Sequence, residues 1–486
     1  MVKKTLKNTK ANLANNQILR KMNLKNLIIL AGVAGFFYSC KVTDTYKNPD
    51  IEQSRQDNLF RQKTNNDSTS VANVAWNQIF TDAKLQNIIN KTIQNNLDLK
   101  VAVARIQEAS AVFKQSKLQN LPSLDGVASI TETKNSGAAQ GGNFVMPDLL
   151  VYRLGISTGW EIDVWGRIKA LKNSAYAGFL QTDAAKRAIQ TQMVAQAATL
   201  YYQLISLDKQ LEITKQTIEL RKKDVESVQL LMDAAYLTGA DVEQSKANLY
   251  SAQLSVPDLE MQIQQTENSL NILMNDNPQP IDRNSIDSQV IYTDLKTGVP
   301  ASLLKNRPDV QSAELTFRQA FENKNMAMAQ VYPTISITGT LGLSSRTLES
   351  FFTNSLFYTL GGTVTQNIFQ MGTRKAQVRI MEARKMQAYY TFEKALLTAG
   401  SEVSNSLLSY QKAKEKETTR QLQIQSLEKA VEYNKELLTY SSNTNYVNVL
   451  TSEQSLLAAK LAGVNDKLQQ LQAVTEFYRA LGGGQF

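Results

Sequence analysis

The sequence predicts a mainly α-helical chain that also contributes to a membrane β-barrel, built from two copies of one unit: strand, loop, strand, then a hairpin of very long helices. Three observations predict it: an internal duplication, four segments of strict apolar–polar alternation, and helical stretches too long for a globule. The duplication comes first, because overlooking a repeat misassigns a whole fold. Leu121-Pro122-Ser123 opens one alternating segment and Trp160-Glu161-Ile162-Asp163-Val164-Trp165-Gly166-Arg167 closes its partner. Tyr332-Pro333-Thr334 and Thr365-Gln366-Asn367-Ile368-Phe369-Gln370-Met371-Gly372-Thr373-Arg374 repeat the arrangement. Pro122 and Pro333 lie 211 residues apart, and Gly166 and Gly372 206.

Residues 1–39 read as a leader. Lys25 precedes an apolar run from Leu27 to Tyr38 that ends at Ser39-Cys40. A basic start, ~7–15 apolar residues and a small residue before the cut describe a secretory signal. The run is shorter than the ~20 residues a transmembrane helix needs. Met22 is the expected true start. Cys40, the one cysteine of the chain, resembles a lipoprotein cleavage site, and lipid on its thiol would anchor a mature N-terminal segment of residues 40–74. Phe37 stands where the bacterial lipobox usually has Leu, and Lys41 follows the cysteine in place of an inner-membrane retention Asp, so anchoring points to the outer membrane.

Two repeats follow, at 75–280 and 281–486, each with an alternating strand pair. In the segment 150–164, Tyr152, Leu154, Ile156, Trp160 and Ile162 share one face, and Arg153, Gly155, Ser157, Gly159, Glu161 and Asp163 the other. In 334–343, Ile335, Ile337, Leu341 and Leu343 oppose Thr334, Ser336, Thr338 and Thr340. In 356–369, Tyr358, Leu360, Val364 and Ile368 oppose Thr359, Thr363, Thr365 and Asn367. The segment 123–131 is weaker, with Leu124, Ala128 and Ile130 on one face. Period-two alternation over about 10 residues is the mark of an outer-membrane strand. Residues 134–149 and 344–354 are small and polar, as surface loops should be. Bacterial barrels need at least ~8 strands, and an even number. Four per chain close nothing alone, so copies must assemble, as a dimer or a trimer.

The helical segments are about 167–237, 241–274, 373–441 and 446–480. From Arg167 to Leu237 there is no proline, and Gly178 is the one glycine. At ~1.5 Å per residue such a helix extends on the order of 100 Å, too far for a compact core. Its apolar positions step as a heptad seam: Met193, Ala197, Leu200, Leu204, Leu207 and Leu211, then Ile218, Val225, Val228 and Met232. The last helix does the same with Leu450, Leu457, Leu461, Val464, Leu468, Leu471 and Tyr478. The hairpin turns are Tyr236 to Asp241 and Tyr440 to Asn445. Gly239 and Asn443 are the residues expected to take the left-handed conformation that ends a helix.

Composition removes several functions. The formal charge is +9, from 53 basic against 44 acidic side chains; seven of the bases lie in residues 1–39, which leaves 46 against 44. A nearly neutral body excludes nucleic-acid binding. With no histidine and one cysteine, His-based acid–base chemistry, His/Cys metal sites and intramolecular disulfides are excluded together. Glu161 and Asp163 lie on one strand face with no nucleophile or phosphate-binding loop. No catalytic residue, cofactor or metal ligand is predicted, and the chain is not read as an enzyme.

Three motifs, in order, carry a family resemblance. Glu161-Ile162-Asp163-Val164-Trp165-Gly166-Arg167 is a strand-to-helix signature, Asn306-Arg307-Pro308-Asp309-Val310 followed by Ala313-Glu314 enters the second half, and Tyr332-Pro333-Thr334-Ile335 turns helix into strand. Across residues 40–484 the chain resembles the outer-membrane efflux proteins, the family of the TolC exit duct, and above all its lipid-anchored members paired with resistance–nodulation–division pumps. The resemblance implies a homotrimer with a twelve-stranded barrel, continuous with a coiled-coil tunnel in the periplasm that is closed at its inner end. It also implies an equatorial belt from the segments around 75–98, 275–305 and 410–425. The implied partners are a periplasmic adaptor and an inner-membrane pump, with no cofactor. The implied function is a passive exit duct for drugs, toxic small molecules or metal ions, with the exit duct of a type I protein secretion system as the alternative.

At the closed tip this sequence departs from the family pattern. Members often carry two Asp residues after the second hairpin turn; here Asn448 and Thr451 stand there. The turn glycine is replaced by Asn443 and the basic latch position by Asn445, while Tyr440 matches the family's turn tyrosine. In the first hairpin Asp241 matches the acidic position. Carboxylate rings favour cations, whereas neutral rings discriminate mainly by size. The expectation is weak cation selectivity and a tip held by polar hydrogen bonds more than by ion pairs.

Overall fold

The computed structural model describes residues 42–49, 74–134, 136, 149–291, 307–440 and 446–483. Short helices α1 (Trp76–Ile79) and α2 (Ala83–Asn95) precede α3 (Leu97–Leu118), strand β1 (Ser123–Thr133) and strand β2 (Leu149–Glu161). The first long hairpin is α4 (Arg167–Asp233) and α5 (Gly239–Met274). The second half repeats the order as α6 (Pro308–Ala329), β3 (Thr334–Ser345), β4 (Leu356–Thr365), α7 (Thr373–Tyr440) and α8 (Tyr446–Ala480).

The described chain divides into two compact units that cut across the repeats. One takes the residues up to Asn48, Ala111–Ala177 and Arg318–Gln387; the other takes Pro49–Ser110, Gly178–Phe317 and Ala388–Phe486. The first unit owes its composition to strand pairing. The four strands form one antiparallel sheet in the order β1-β2-β3-β4, so the two repeats meet at the β2–β3 seam.

The register sorts the residues by chemistry. Leu154 pairs with Ala128 and Leu343, Ile156 with Gly126 and Leu341, and Trp160 with Ile337. Leu341 in turn pairs with Tyr358, and Ile335 with Val364. Directly opposed residues share a face, so these side chains form one apolar surface. The other surface carries Ser129, Ser157, Thr338, Thr340, Thr359 and Thr363. Two strand ends fall short of the sequence reading. β2 ends at Glu161 and β4 at Thr365, because the chain has already turned into the junctions described below. Ile162 still donates its N–H to the Ile335 carbonyl, at 2.9 Å.

In the second unit the heptad positions become the core. Met193, Ala197, Leu204, Leu207, Val464, Leu471 and Tyr478 are buried, together with Phe80, Leu85, Leu270, Phe392 and Leu396. Burying a large apolar side chain contributes ~1.5–3 kcal/mol, and this cluster draws on both repeats. Near the hairpin turns a smaller cluster packs Val228, Val242, Tyr446, Val449 and Leu450 against Met232, Leu237 and Leu438.

Candidate functional site

The sheet is the first functional element. Among the described residues nothing covers its apolar surface: Leu124 (72%), Ile130 (71%), Leu154, Ile156, Trp160, Leu341, Tyr358 (81%), Leu360 (77%) and Val364 are all exposed. A contiguous apolar face of this kind marks a surface that meets lipid or another protein. The opposite surface carries mainly hydroxyls and glycines, joined by Val127, Val151 and Phe357, with Asp125 and Arg153 as its charged members between the strand ends. Among the described residues both β1 and β4 present an unpaired edge.

The junction after β2 uses every polar residue of the first motif. The Arg167 guanidinium donates to both Glu161 carboxylate oxygens, at 2.7 Å each. Such a bidentate pair is stronger and more directional than a single contact. The Asp163 carboxylate accepts the N–H groups of Ile168 (2.9 Å) and Lys169 (2.8 Å), satisfying two of the donors that a helix start leaves open. Glu161 and Asp163 are therefore committed to local structure, and the placement of Asp163 on the polar strand face is corrected. Gly166 adopts φ +79°, a left-handed conformation natural to glycine.

Trp165 joins the two repeats. Its indole N–H donates to the Pro333 carbonyl at 2.7 Å, and its ring stacks on Tyr332 with centroids 5.0 Å apart. Two motifs 168 residues apart in the chain thus meet. Trp160, on the apolar face, donates to the Asn120 carbonyl at 3.1 Å. A tryptophan with an apolar body and a satisfied N–H suits a membrane boundary. The second junction keeps the glycine, with Gly372 also at φ +79°. It has no counterpart of Asp163, and Ile368 (97%), Phe369 (84%) and Met371 (88%) stand exposed there.

The entry to the second repeat is an ionic clamp. The Arg307 side chain is 3% exposed. It donates to both Asp309 oxygens (3.0 and 2.7 Å), to Glu402 (2.7 Å) and to the Ala480 carbonyl (2.7 Å). Arg479 also pairs with Glu402, at 3.0 Å. Burial alone would push the Asp309 carboxyl up, but the Arg307 hydrogen bond and charge more than offset it and hold it below the usual carboxylate range. Pro308 is the first residue of α6, where a missing N–H costs nothing.

A second polar centre escaped the sequence reading. The Asp82 carboxylate accepts from Tyr201 Oη (2.7 Å), Gln289 Nε2 (2.6 Å), Asn284 Nδ2 (2.9 Å) and the Lys84 N–H (2.8 Å). It ties α2, α4 and the segment after α5 together. The available signal was local: an Asp directly before a helical run is an N-cap pattern.

At the hairpin tip, Tyr236 (80%) and Tyr440 (87%) are exposed. The left-handed residue of the first turn is Ala235, at φ +62°, and not Gly239, which opens α5. The reason is the end of α4, where the Tyr236 N–H returns to the Leu231 carbonyl at 2.9 Å. The Asp241 carboxylate accepts from the Thr238 N–H (2.9 Å) and hydroxyl (2.7 Å), so it caps α5. The Thr451 hydroxyl donates to the Val447 carbonyl at 2.8 Å, and the Asn448 carbonyl accepts from the Asn434 amide at 3.4 Å. Asn443, Asn445 and Cys40 lie outside the described residues.

Near the N-terminus the segment 42–49 docks on α6. Asp44 pairs with Lys324 at 2.7 Å, and the Asn325 amide donates to the Asp44 carbonyl at 3.0 Å. Tyr46 packs edge-on against Phe321, with centroids 5.5 Å apart. Among the described residues no group of three or more His, Cys, Asp or Glu side chains could hold a metal ion. No helix among them is long and apolar enough to cross a membrane.

A family model described as outer membrane efflux protein matches residues 88–276 and 299–483. The solvent efflux pump outer membrane protein SrpC of Pseudomonas putida is 27% identical over 428 residues, covering 84% of this chain and 87% of its own length. The cation efflux system protein CusC of Escherichia coli K12 is 24% identical over 451 residues, covering 92% and 96%. The probable outer membrane lipoprotein SilC of Salmonella typhimurium is 23% identical over 472 residues, covering 96% and 99%. Among solved structures, the outer-membrane channel OprN superposes with a TM-score of 0.83 at 24% identity, over 92% of this chain and 99% of that one. The open state of the Neisseria gonorrhoeae MtrE channel gives 0.80 at 23%, over 92% and 98%.

Proposed function

Because the chain belongs to the outer membrane efflux protein family, and so forms an exit duct of the outer membrane, we propose that three copies pair their strands into one twelve-stranded barrel, continuous with a helical tunnel in the periplasm. The observation that carries this reading is the single sheet with one apolar face, one hydroxyl face and two open edges. In a membrane every backbone polar group needs a partner, so open edges must close. The duct is passive, and an inner-membrane resistance–nodulation–division pump, reached through a periplasmic adaptor, supplies the energy. The exposed Ile368, Phe369 and Met371 at the second junction become buried against lipid or a neighbouring copy.

Cys40 carries the lipid anchor, after removal of a leader that starts at Met22, and the docked segment 42–49 holds the anchored end against α6. The relatives are named for solvent and cation efflux, and the cargo of this chain falls in the same broad class of small toxic solutes. Protein secretion gains no support from these relatives. A transport duct also leaves no role for catalysis.

The test is assembly and conduction. The mature protein in detergent should have the mass of three copies by light scattering and should conduct ions in planar bilayers. Deletion of its gene should raise susceptibility to at least one class of toxic compound. A water-soluble monomer without conductance would overturn the reading.

A further inference from the structure

Close to the hairpin tip, three charged residues from three helices meet. Lys435 Nζ of α7 lies 2.9 Å from Asp224 Oδ1 of α4 and 2.7 Å from Glu453 Oε1 of α8. Asp224 of the first hairpin and Lys435 of the second face each other across the hairpins. The side chains are largely removed from water, with Asp224 19% and Glu453 15% exposed. The other oxygen, Asp224 Oδ2, is buried and has no hydrogen-bond partner among the described residues.

Two carboxylates and one ammonium leave an excess negative charge in a half-buried site. One proton on Glu453 removes that charge and supplies a donor for the unpartnered Asp224 oxygen. Burial and the neighbouring Asp224 push the Glu453 carboxyl up, and Lys435 only partly offsets them. Asp224 comes from α4 and Lys435 from α7, and Tyr446 of α8 is a further titratable group facing the cluster; among the described residues α5 adds no charge to the groups that act on Glu453. Among the described residues the hairpins are also joined nearby by the apolar cluster around Val228, Val242 and Tyr446 and by the 3.2 Å bond from the Gln454 amide to Asn248.

We propose that Asp224, Lys435 and Glu453 form a proton-held latch that positions the second hairpin against the first and so sets how readily the tip of the duct opens. The idea rests on the duct reading above. Opening a tip made of hairpins requires them to shift against each other, and this cluster must part when they do. The latch gains its proton in acid. A carboxyl raised above its ordinary 4.5 in the closed state stabilises that state fully below 4.5, and the contribution is lost as pH rises through the raised value. The tip therefore closes more firmly in acid and loosens toward neutral and alkaline pH.

The experiment is bilayer conductance of the full-length protein between pH 5 and pH 8, for wild type, Glu453→Gln and Asp224→Asn. Glu453→Gln keeps a neutral donor at every pH; Asp224→Asn removes the second carboxylate. Each pH unit by which proton affinity differs between closed and open tips changes the opening equilibrium ~tenfold. Wild-type conductance should rise from pH 5 to pH 8, and both variants should be flat, with Glu453→Gln low throughout. Wild-type pH dependence surviving in either variant, or a flat wild type, overturns the latch while leaving the duct intact. No conductance in any protein overturns both.

Discussion

Gly155 and Gly342 stand directly opposite each other where β2 meets β3, and there is no room for a side chain between them. A Cβ on Gly155 would lie 2.6 Å from the Leu341 carbonyl oxygen and 2.9 Å from Gly342 Cα. The pair sits on the hydroxyl face, at the seam that joins the two repeats. Adding a methyl group there forces the backbones apart, and overpacking of this kind costs ~1–3 kcal/mol. Gly155→Ala should lower the fraction of chain that runs as a folded barrel on semi-native gels. Gly126→Ala, where a Cβ meets nothing within 4 Å, should match wild type.

The Asp163 cap makes a separable prediction. Its two backbone acceptances start α4 within six residues of the end of the sheet. Loss of an N-cap costs ~1 kcal/mol, and Asn preserves most of it. Asp163→Ala should therefore lower the denaturant midpoint of the detergent-solubilised protein, followed by tryptophan fluorescence, and Asp163→Asn should restore it. Equal effects of the two substitutions would show that the charge, and not the cap, matters.

The strands and long helices were legible in the sequence because their periods are set by solvent on each side. Leu154, Ile156 and Leu341 face one medium and Ser157 and Thr340 another, and Met193 to Leu211 follow a heptad because they pack on helices. The motif Glu161 to Arg167 was visible too, but not its internal economy. That Asp163 turns back to cap α4, and Trp165 reaches Pro333, depends on contacts that no local period encodes. The Asp82 centre was hidden for the same reason: Tyr201, Asn284 and Gln289 lie 119 to 207 residues away. Ala235 took the left-handed turn position because the hydrogen bonds closing α4 decided it against residue preference.

Arg307 gathers two carboxylates and a backbone carbonyl within the second unit. Removing it takes that donor from Asp309 and the Ala480 carbonyl, while Glu402 keeps Arg479; Asp309 is 49% exposed, so the cost falls below the ~3–5 kcal/mol of breaking a fully buried pair. Arg307→Met should lower Tm by several degrees in detergent. Arg307→Lys should recover only part of the loss, because one ammonium cannot span a bidentate carboxylate, a second carboxylate and a carbonyl together. Full recovery by lysine would contradict the clamp.

Asp82 and Asp309 give acid sensitivity of opposite sign to the tip latch. Burial pushes the Asp82 carboxyl up, but hydrogen bonds from Tyr201, Gln289, Lys84 and Asn284 outweigh it and hold the group below its ordinary 3.8. Its stabilisation is present above 3.8 and is lost as pH falls through the lowered value. Thermal stability should thus decline only in strong acid, below about pH 4. Asp82→Asn should be less stable at neutral pH and show a shallower decline. A wild-type decline already complete by pH 5 would place the acid-labile groups elsewhere.

Ion selectivity follows from how the tip uses its few charges. Asp241 is bound to the Thr238 N–H and hydroxyl, and Asn448 and Thr451 are neutral. Thr451 donates its hydroxyl within its own helix. On the barrel side, Asp125 and Arg153 carry opposite charges on the hydroxyl face. No ring of uncompensated carboxylate is assembled from these residues, and neutral linings sort mainly by size. In asymmetric salt the reversal potential should therefore stay close to zero. Asp241→Asn should shift it little, because Asn still caps α5 and the removed charge was already engaged. Introducing charge should act differently. Thr451→Asp, repeated in each copy, places a carboxylate ring where none exists and should move the reversal potential toward that of a cation-selective pore. A strongly cation-selective wild type that survives Asp241→Asn would mean that the selecting charge lies elsewhere in the duct.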